Sequence, residues 1–177
     1  MSNHISFGDL PHYTVEDYKK WEGNWELIHG IPYAMSPSPR LTHQRVSRKI
    51  MVLLDRHFEI CSHCEVLQPI DIHLEKDTVV QPDVSVICGS TDSVNEYNKP
   101  VLVVEILSPS TAIKDRNLKF RLYESNGIKY YWLVEPDQKW VEVYELIDGK
   151  YARLEVSGSV TFDLGECVFD FDFREIF

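Results

Sequence analysis

The chain has 177 residues, of which 44% are hydrophobic and 26% charged. This balance is typical of a globular protein and excludes a disordered tail, a collagen-like fibre and a coiled-coil rod. The 28 acidic residues outnumber the 18 basic ones and give a net charge of -10, which argues against non-specific binding of nucleic acid by the surface as a whole. Residues 1–10 show no export signal, and no apolar run is long enough to span a membrane, so we expect a cytoplasmic protein.

Helical and strand-like patterns are mixed along the chain, which is typical of a single α/β domain. The predicted helices are 14–21, 41–60 and 112–126. The predicted strands are 25–29, 31–35, 65–74, 79–88, 101–107, 129–134, 141–147, 151–156 and a last stretch to 173.

The strand at 101–107 is apolar on both faces apart from one acid, which is typical of a strand in the middle of a sheet covered on both sides. The strands after about residue 139 predict an antiparallel C-terminal part, because Asp148-Gly149 is a typical hairpin turn. We therefore expect one domain over residues 1–177. Its core covers about residues 10–150, and an antiparallel extension covers about residues 139–177.

Half of the basic residues lie in two short segments. Residues 40–57 carry five basic side chains and one acidic one, and residues 114–121 carry four and one. Such segments can hold a phosphate backbone locally even on an acidic protein. The alternative, which charge alone favours, is that they are solvated helix faces.

The four cysteines do not form a recognisable zinc motif. Cys61 and Cys64 flank His63 in a single C-x-x-C pair, while Cys88 and Cys167 stand alone. A structural zinc site needs four ligands, which usually come from two such pairs. We therefore predict free thiols in a reducing compartment.

Two acids near the ends of consecutive predicted strands are the strongest indication of a reaction centre. Glu105 is the only charge in its apolar strand, and Asp83 directly precedes the run Val84-Ser85-Val86-Ile87 in the predicted strand before it. A carboxylate removed from water is costly unless it is paired or binds a metal. If the strands are neighbours, the two acids form an oxygen-rich cleft suited to Mg²⁺ or Mn²⁺. The alternative is that Glu105 pairs with a buried cation or lies exposed at a sheet edge.

The helix at 112–126 offers an ammonium group to the same cleft. At about 100° per residue, Lys119 and Asp115 fall within the apolar arc, whereas Lys114 and Arg121 fall outside it and are predicted to face water. The alternative for Lys119 is a simple pair with Asp115 four residues before it.

Two further residues are candidates for the same chemistry. Glu26 lies between apolar neighbours in a predicted strand and could complete an acidic cluster, although an ordinary half-exposed strand Glu would fit as well. His43 begins the basic helix and could contact phosphate or serve as a plain helix residue. Glycine-rich phosphate loops, nucleophile elbows and zinc-protease motifs are absent from the sequence.

These residues resemble the PD-(D/E)xK nuclease superfamily and, more closely, its Uma-type putative restriction endonuclease family, a domain of unknown function. The resemblance covers roughly residues 10–150. It is carried by residues 26–30, His43, residues 81–83, residues 104–111, Asp115, Lys119, Tyr123 and residues 127–136.

The chain departs from the superfamily in its third motif, Glu-x-Lys, because Glu105 is followed by Ile106 and Leu107. The resemblance implies that Lys119 has taken over the role of the motif lysine. It also implies a restriction-endonuclease-like core, in which a central mixed sheet is flanked by helices.

The implied activity is metal-dependent hydrolysis of phosphodiester bonds in DNA, an endonuclease reaction. Asp83, Glu105 and the Ile106 carbonyl would hold Mg²⁺ (or Mn²⁺). Lys119 would orient the attacking water or stabilise negative charge, and Glu26 would bind a second metal or its water shell. The predicted DNA contacts are Arg40, His43, Arg45, Arg48 and Lys49.

Two further expectations concern partners. The missing motif lysine and the acidic surface leave open a catalytically inactive nuclease-fold module that binds nucleic acid or protein. Tyr151, Phe169, Phe171 and Phe173 are predicted to lie exposed and to form the surface of a homodimer.

Overall fold

The computed structural model describes residues 11–35, 39–61, 63–89, 99–109 and 111–177. Its α-helices are α1 (Val15–Tyr18), α2 (Leu41–Phe58) and α3 (Phe120–Ser125), with a π-helical segment at Lys114–Lys119 and a 3₁₀ turn at Phe173–Glu175. Its strands are β1 (Trp25–Ile28), β2 (Ile31–Ala34), β3 (Cys64–Leu67), β4 (Ile72–Glu75), β5 (Thr78–Val80), β6 (Val84–Cys88), β7 (Leu102–Ile106), β8 (Tyr130–Glu135), β9 (Trp140–Ile147), β10 (Lys150–Leu154), β11 (Ser159–Asp163) and β12 (Val168–Asp172).

A mixed sheet of six strands forms the centre, in the order β10-β9-β8-β7-β6-β3. The β7–β8 pair is parallel, and the other pairs are antiparallel. All five residues of β7 are buried, as the apolar run at 101–107 predicts. The expected mixed sheet flanked by helices, with extra antiparallel strands near the C-terminus, is thus confirmed.

Helix α2 covers one face of this sheet with a single apolar stripe. Val46, Ile50, Leu54 and Phe58 recur every four residues and are all buried, because that spacing keeps side chains on one side of a helix. They share a core with Trp132 of β8. Within the described residues no helix is long and apolar enough to cross a membrane.

The opposite face carries a second sheet, in the order β2-β1-β5-β4, and the helical segment around residues 114–125. Here two sequence predictions need correction, since the strands expected at 65–74 and 79–88 are each two strands. One half of each belongs to the central sheet and the other half to the second sheet. Pro69 and Pro82 lie at the two breaks, where a proline cannot donate a ladder hydrogen bond.

The helix predicted at 112–126 is not a regular α-helix, because Lys114–Lys119 is π-helical. Hydrogen bonds from i to i+5 widen the helix, so each residue turns through less than the about 100° of an α-helix. The helical-wheel positions predicted for this segment are therefore wrong in detail.

The cysteines are not free thiols as predicted. Cys61 is bonded to Cys167, and Cys64 is bonded to Cys88. Cys64 and Cys88 lie opposite each other on paired strands β3 and β6, whereas Cys61 and Cys167 are 106 residues apart in sequence. Spacing along the chain could not show either proximity.

The C-terminal aromatic residues are not the exposed surface that was predicted. Phe169, Phe171 and Phe173 are buried in the core that contains Trp132. Tyr151 is half-buried and donates a hydrogen bond to the Ile128 carbonyl at 2.9 Å. Phe169 and Phe171 pack inward because β11 and β12 form a hairpin whose apolar side lies on the central sheet. The homodimer therefore stays a prediction, and these aromatic residues no longer support it.

Candidate active site

The strand register brings the two predicted acids together. Val84 of β6 pairs with Val104 of β7 in antiparallel fashion. Asp83 precedes Val84 and Glu105 follows Val104, so the two acids occupy facing positions, whose side chains point to the same side of a sheet. The backbone N–H of Ile106 donates to Oδ2 of Asp83 at 2.7 Å, which ties that carboxylate to the end of β7.

Lys119 lies at the centre of a buried group of charges. Its Nζ is 2.8 Å from Oε1 of Glu105 and 2.7 Å from Oε1 of Glu26. The Tyr123 hydroxyl also donates to Oε1 of Glu105, at 2.7 Å. None of these four side chains is more than 4% exposed. The prediction that Lys119 faces inward is confirmed, and so is its convergence with Glu105.

Lys114 is placed differently from the helical-wheel prediction. It was expected to face water, but it is only 16% exposed and its Nζ donates to Oε2 of Glu26. The cause is the π-helical segment, in which residues five apart fall closer to one side than in an α-helix. Lys114 and Lys119 therefore hold both oxygens of one carboxylate. Arg121 is exposed, as predicted.

Asp115 is buried beside the lysine but does not form a close ion pair with it. The residue is 2% exposed, and its Oδ1 is 3.9 Å from Nζ of Lys119. Within the part of the chain that the structure describes, this Oδ1 has no hydrogen-bond partner. The predicted inward direction is confirmed, whereas the predicted alternative of a simple Lys119–Asp115 pair is not what holds Lys119.

The acids and Lys119 lie in a cleft of about 850 Å³. His43, in the first turn of α2, lies there with Nε2 3.2 Å from Oδ2 of Asp83. The charged and polar lining includes Arg40, His43, Asp83, Glu105, Asp115 and Lys119.

The environment moves the pKa of each buried group. Burial alone would raise the pKa of Glu26, but Lys119 and Lys114 outweigh it and lower that pKa. Burial would lower the pKa of Lys119, but the charges of Glu105, Glu26 and Asp115 hold it well above its usual value. Burial raises the pKa of Asp115, and Lys119 opposes this only in part.

His43 is also shifted. Burial would lower its pKa, but the hydrogen bond to Asp83 and that residue's negative charge raise it above the usual value.

The predicted DNA-contact residues fall into two groups. Arg40 lines the cleft, and the exposed Arg45 and Arg48 line an adjoining groove of about 540 Å³ that shares His43 and Asp83 with it. Arg40, Arg45 and Arg48 thus form a row of exposed basic side chains along the first half of α2, next to the cleft that contains Asp83 and Glu105. Lys49 differs, because its Nζ donates to the backbone carbonyl of the C-terminal residue at 2.7 Å.

A second cluster of metal-ligating residue types lies elsewhere and was missed from the sequence. His29, Glu75 and Asp77 offer ligand atoms that all lie within 4.8 Å of one another. His29 lies in the turn after β1, Glu75 is the last residue of β4, and Asp77 lies in the turn that follows it. The structure gives Asp77 a further contact, with His12 at 3.1 Å. Both turns contain ordinary surface residues, so the sequence carries no signal for this proximity.

Comparison with a known structure supports the fold. The crystal structure of a putative nuclease belonging to DUF820 from Anabaena variabilis ATCC 29413 superposes with a TM-score of 0.74 at 18% identity, covering 93% of this chain and 97% of that one. At this identity the likeness shows the fold alone. The chain therefore has the mixed α/β fold of that putative nuclease.

The family follows from sequence comparison. The Uma2 family model, described as a putative restriction endonuclease, matches residues 15–172, so the chain belongs to the Uma2 family, as its resemblance indicates. An uncharacterized protein from Synechocystis sp. (strain ATCC 27184 / PCC 6803 / Kazusa) is 32% identical over 158 residues, which cover 84% of this chain and 82% of that protein.

Proposed function

We propose that the protein is a Mg²⁺-dependent endonuclease that hydrolyses phosphodiester bonds in DNA. One observation carries the proposal: Asp83 and Glu105 occupy facing strand positions in one cleft, and Lys119 is bound to Glu105 at 2.8 Å. Membership of a family described as a putative restriction endonuclease supports the same reaction class.

The donor set suits a hard divalent cation. Four carboxylates, those of Glu26, Asp83, Glu105 and Asp115, face the ammonium groups of Lys114 and Lys119 in and beneath the cleft. With all six side chains ionised, their formal charges sum to -2. Burial raises the pKa of Glu105 well above its usual value and also raises the pKa of Asp115, and a bound cation would favour the ionised form of both. Carboxylate and carbonyl oxygens are the ligands that Mg²⁺ prefers. Asp83, Glu105 and the Ile106 carbonyl are the groups that would hold it.

A bound Mg²⁺ would polarise the scissile phosphate and lower the pKa of a water molecule. The protein's own contribution is positional. Lys119, held between Glu105 and Glu26, would place its ammonium group near the position where negative charge develops on the phosphate. Both oxygens of Glu26 are occupied by lysines, which supports a positioning role for this residue more than a second metal site.

The basic residues of the adjoining groove would bind the DNA backbone. Arg40 lies in the cleft, and Arg45 and Arg48 continue along the first half of α2. His43 lies between the arginines and Asp83 and would contact the phosphate next to the scissile one. Such contacts position the substrate but do not read its sequence.

Cleavage assays with supercoiled, linear and single-stranded DNA test the proposal. We expect cleavage with Mg²⁺ and none with a chelator. Glu105→Gln and Asp83→Asn should lower the rate by about 100-fold or more, the size expected when an electrostatic group of a reaction centre is lost. Glu65→Gln is the matched control, because Glu65 is an exposed strand carboxylate. Equal cleavage by Asp83→Asn and wild type would contradict the assignment.

One observation favours a second candidate function, an inactive binding module. Oε1 of Glu105 already accepts hydrogen bonds from Lys119 and Tyr123, so this oxygen is satisfied by the protein itself. Calorimetric titration of the metal-free protein with Mn²⁺ separates the two functions. Binding that disappears in Glu105→Gln supports the nuclease. DNA binding without any Mn²⁺ binding or cleavage supports the module.

A further inference from the structure

One buried group in the cleft has no role in the interactions described so far. Oδ1 of Asp115 has no hydrogen-bond partner among the described residues, although the residue is 2% exposed and lines the cleft. A buried carboxylate oxygen without a partner is costly. Its presence therefore needs an explanation beyond packing.

Neutralisation of Lys119 does not provide that explanation. Nζ of Lys119 is already within hydrogen-bond distance of Glu26 at 2.7 Å and Glu105 at 2.8 Å. The 3.9 Å to Oδ1 of Asp115 is beyond hydrogen-bond range. The two side chains attract each other at this distance, but Oδ1 of Asp115 still lacks a hydrogen-bond donor among the described residues.

We propose that Oδ1 of Asp115 is a third carboxylate ligand of the divalent cation, together with Asp83 and Glu105. Among the described residues, the ligand atoms of these three carboxylates do not all lie within 4.8 Å of one another in the metal-free arrangement, so binding of the cation would draw them together. The inference rests on the proposed function and extends its metal site by one residue on the π-helical segment. This segment holds Asp115 in the cleft while its neighbours Lys114 and Lys119 both engage Glu26. A functional role also agrees with the frequent occurrence of π-helical turns at reaction centres.

The test is Mn²⁺ binding by the metal-free protein. Binding is measured by calorimetric titration and, independently, by the shift of the melting temperature when Mn²⁺ is added. Asp115→Asn should weaken Mn²⁺ binding about tenfold or more and reduce the Mn²⁺-induced rise in melting temperature. Its melting temperature without metal should equal or exceed that of wild type, because a buried unpaired charge is removed. Asp115→Ala is a second variant with the same expectation for binding.

Glu124→Gln is the matched control, since it removes one carboxylate from the same helical region. Glu124 contacts Tyr151 and Lys150, away from the cleft, so its Mn²⁺ affinity should equal that of wild type. If Asp115→Asn binds Mn²⁺ as tightly as wild type and is less stable without metal, Asp115 is structural and this inference is wrong. If wild type binds no Mn²⁺, the proposed metal-dependent function itself is wrong.

Discussion

The two faces of β7 and β8 bury their side chains in opposite ways. On one face, Val104 and Trp132 contribute to a core of aliphatic and aromatic side chains. On the other face, Glu105 of the same strand β7 is equally buried but lies among charged groups. Alternation along a strand places these two environments one residue apart.

The comparison shows which forces hold each face. The apolar face is stabilised by the removal of hydrocarbon surface from water and by close packing, which tolerates exchange among side chains of similar volume. The charged face is stabilised only when every partner is present, because burial of ions costs about as much as their attraction returns. The first face therefore stabilises the fold by apolar packing alone. The face that carries Glu105 combines a second apolar cluster, which includes Val103 and Tyr131, with the buried charges that fix the geometry of the cleft.

The largest expected loss of stability comes from the apolar face. The Trp132 ring has centroid distances of 4.8 Å to Phe162, Phe171 and Phe173. Trp132→Ala should lower the free energy of unfolding by about 4 kcal/mol, because it removes a large buried ring and leaves a cavity. Urea denaturation measures this loss. Trp140→Ala, at a half-buried position, should cost clearly less, and an equal cost would break the comparison.

On the charged face, Lys119→Met should cost about 3 kcal/mol, because Glu26 and Glu105 lose their shared partner in a buried place. The loss should be partly recovered when Glu26→Gln and Glu105→Gln are added, since neutral amides no longer need the ammonium. Arg121→Met is the control, because Arg121 is exposed on the following helix. Strictly additive losses in the triple variant would show that the charges do not act as a unit.

The sequence predicts most elements of the fold, because a long regular pattern of apolar residues indicates both the type of element and its buried side. The stripe of α2 and the apolar run of β7 lie where they were predicted. The breaks at Pro69 and Pro82 were missed because apolar residues continue on both sides of each proline. The residues on the two sides of each proline belong to different sheets. The local sequence pattern does not show this, because it depends on the tertiary structure.

The candidate site was predicted in outline only. Asp83, Glu105 and Lys119 stand out because charges are rare in apolar runs. Lys114 was placed wrongly, because the wheel assumes α-helical geometry and nothing local marks the π-helical segment. The π-helical segment becomes apparent only in the tertiary structure, where Lys114 and Lys119 share one carboxylate of the distant strand β1.

Lys114 should contribute less than Lys119, because it reaches the edge of the cleft. Lys114→Met leaves Oε2 of Glu26 without its ion pair, but the side chain of Lys114 is 16% exposed, so water can reach this end of the pair. We expect a loss of about 2 kcal/mol in urea denaturation. A loss as large as that of Lys119→Met would show that the π-helical segment depends on both lysines equally.

The smallest expected effect is the titration of His43 in the metal-free protein. Asp83 raises the pKa of His43 above 6.5, so their contact contributes stability that is fully present below pH 6.5 and is lost as the pH rises through the folded-state pKa. In Asp83→Asn, burial still lowers the pKa of His43, and only the weaker effects of Asp115 and the Ile106 backbone still raise it. The pKa of His43 should therefore fall. NMR titration of the His43 ring measures both values. An unchanged pKa in Asp83→Asn would mean that the cleft's negative charge, rather than the Asp83 contact, controls this histidine.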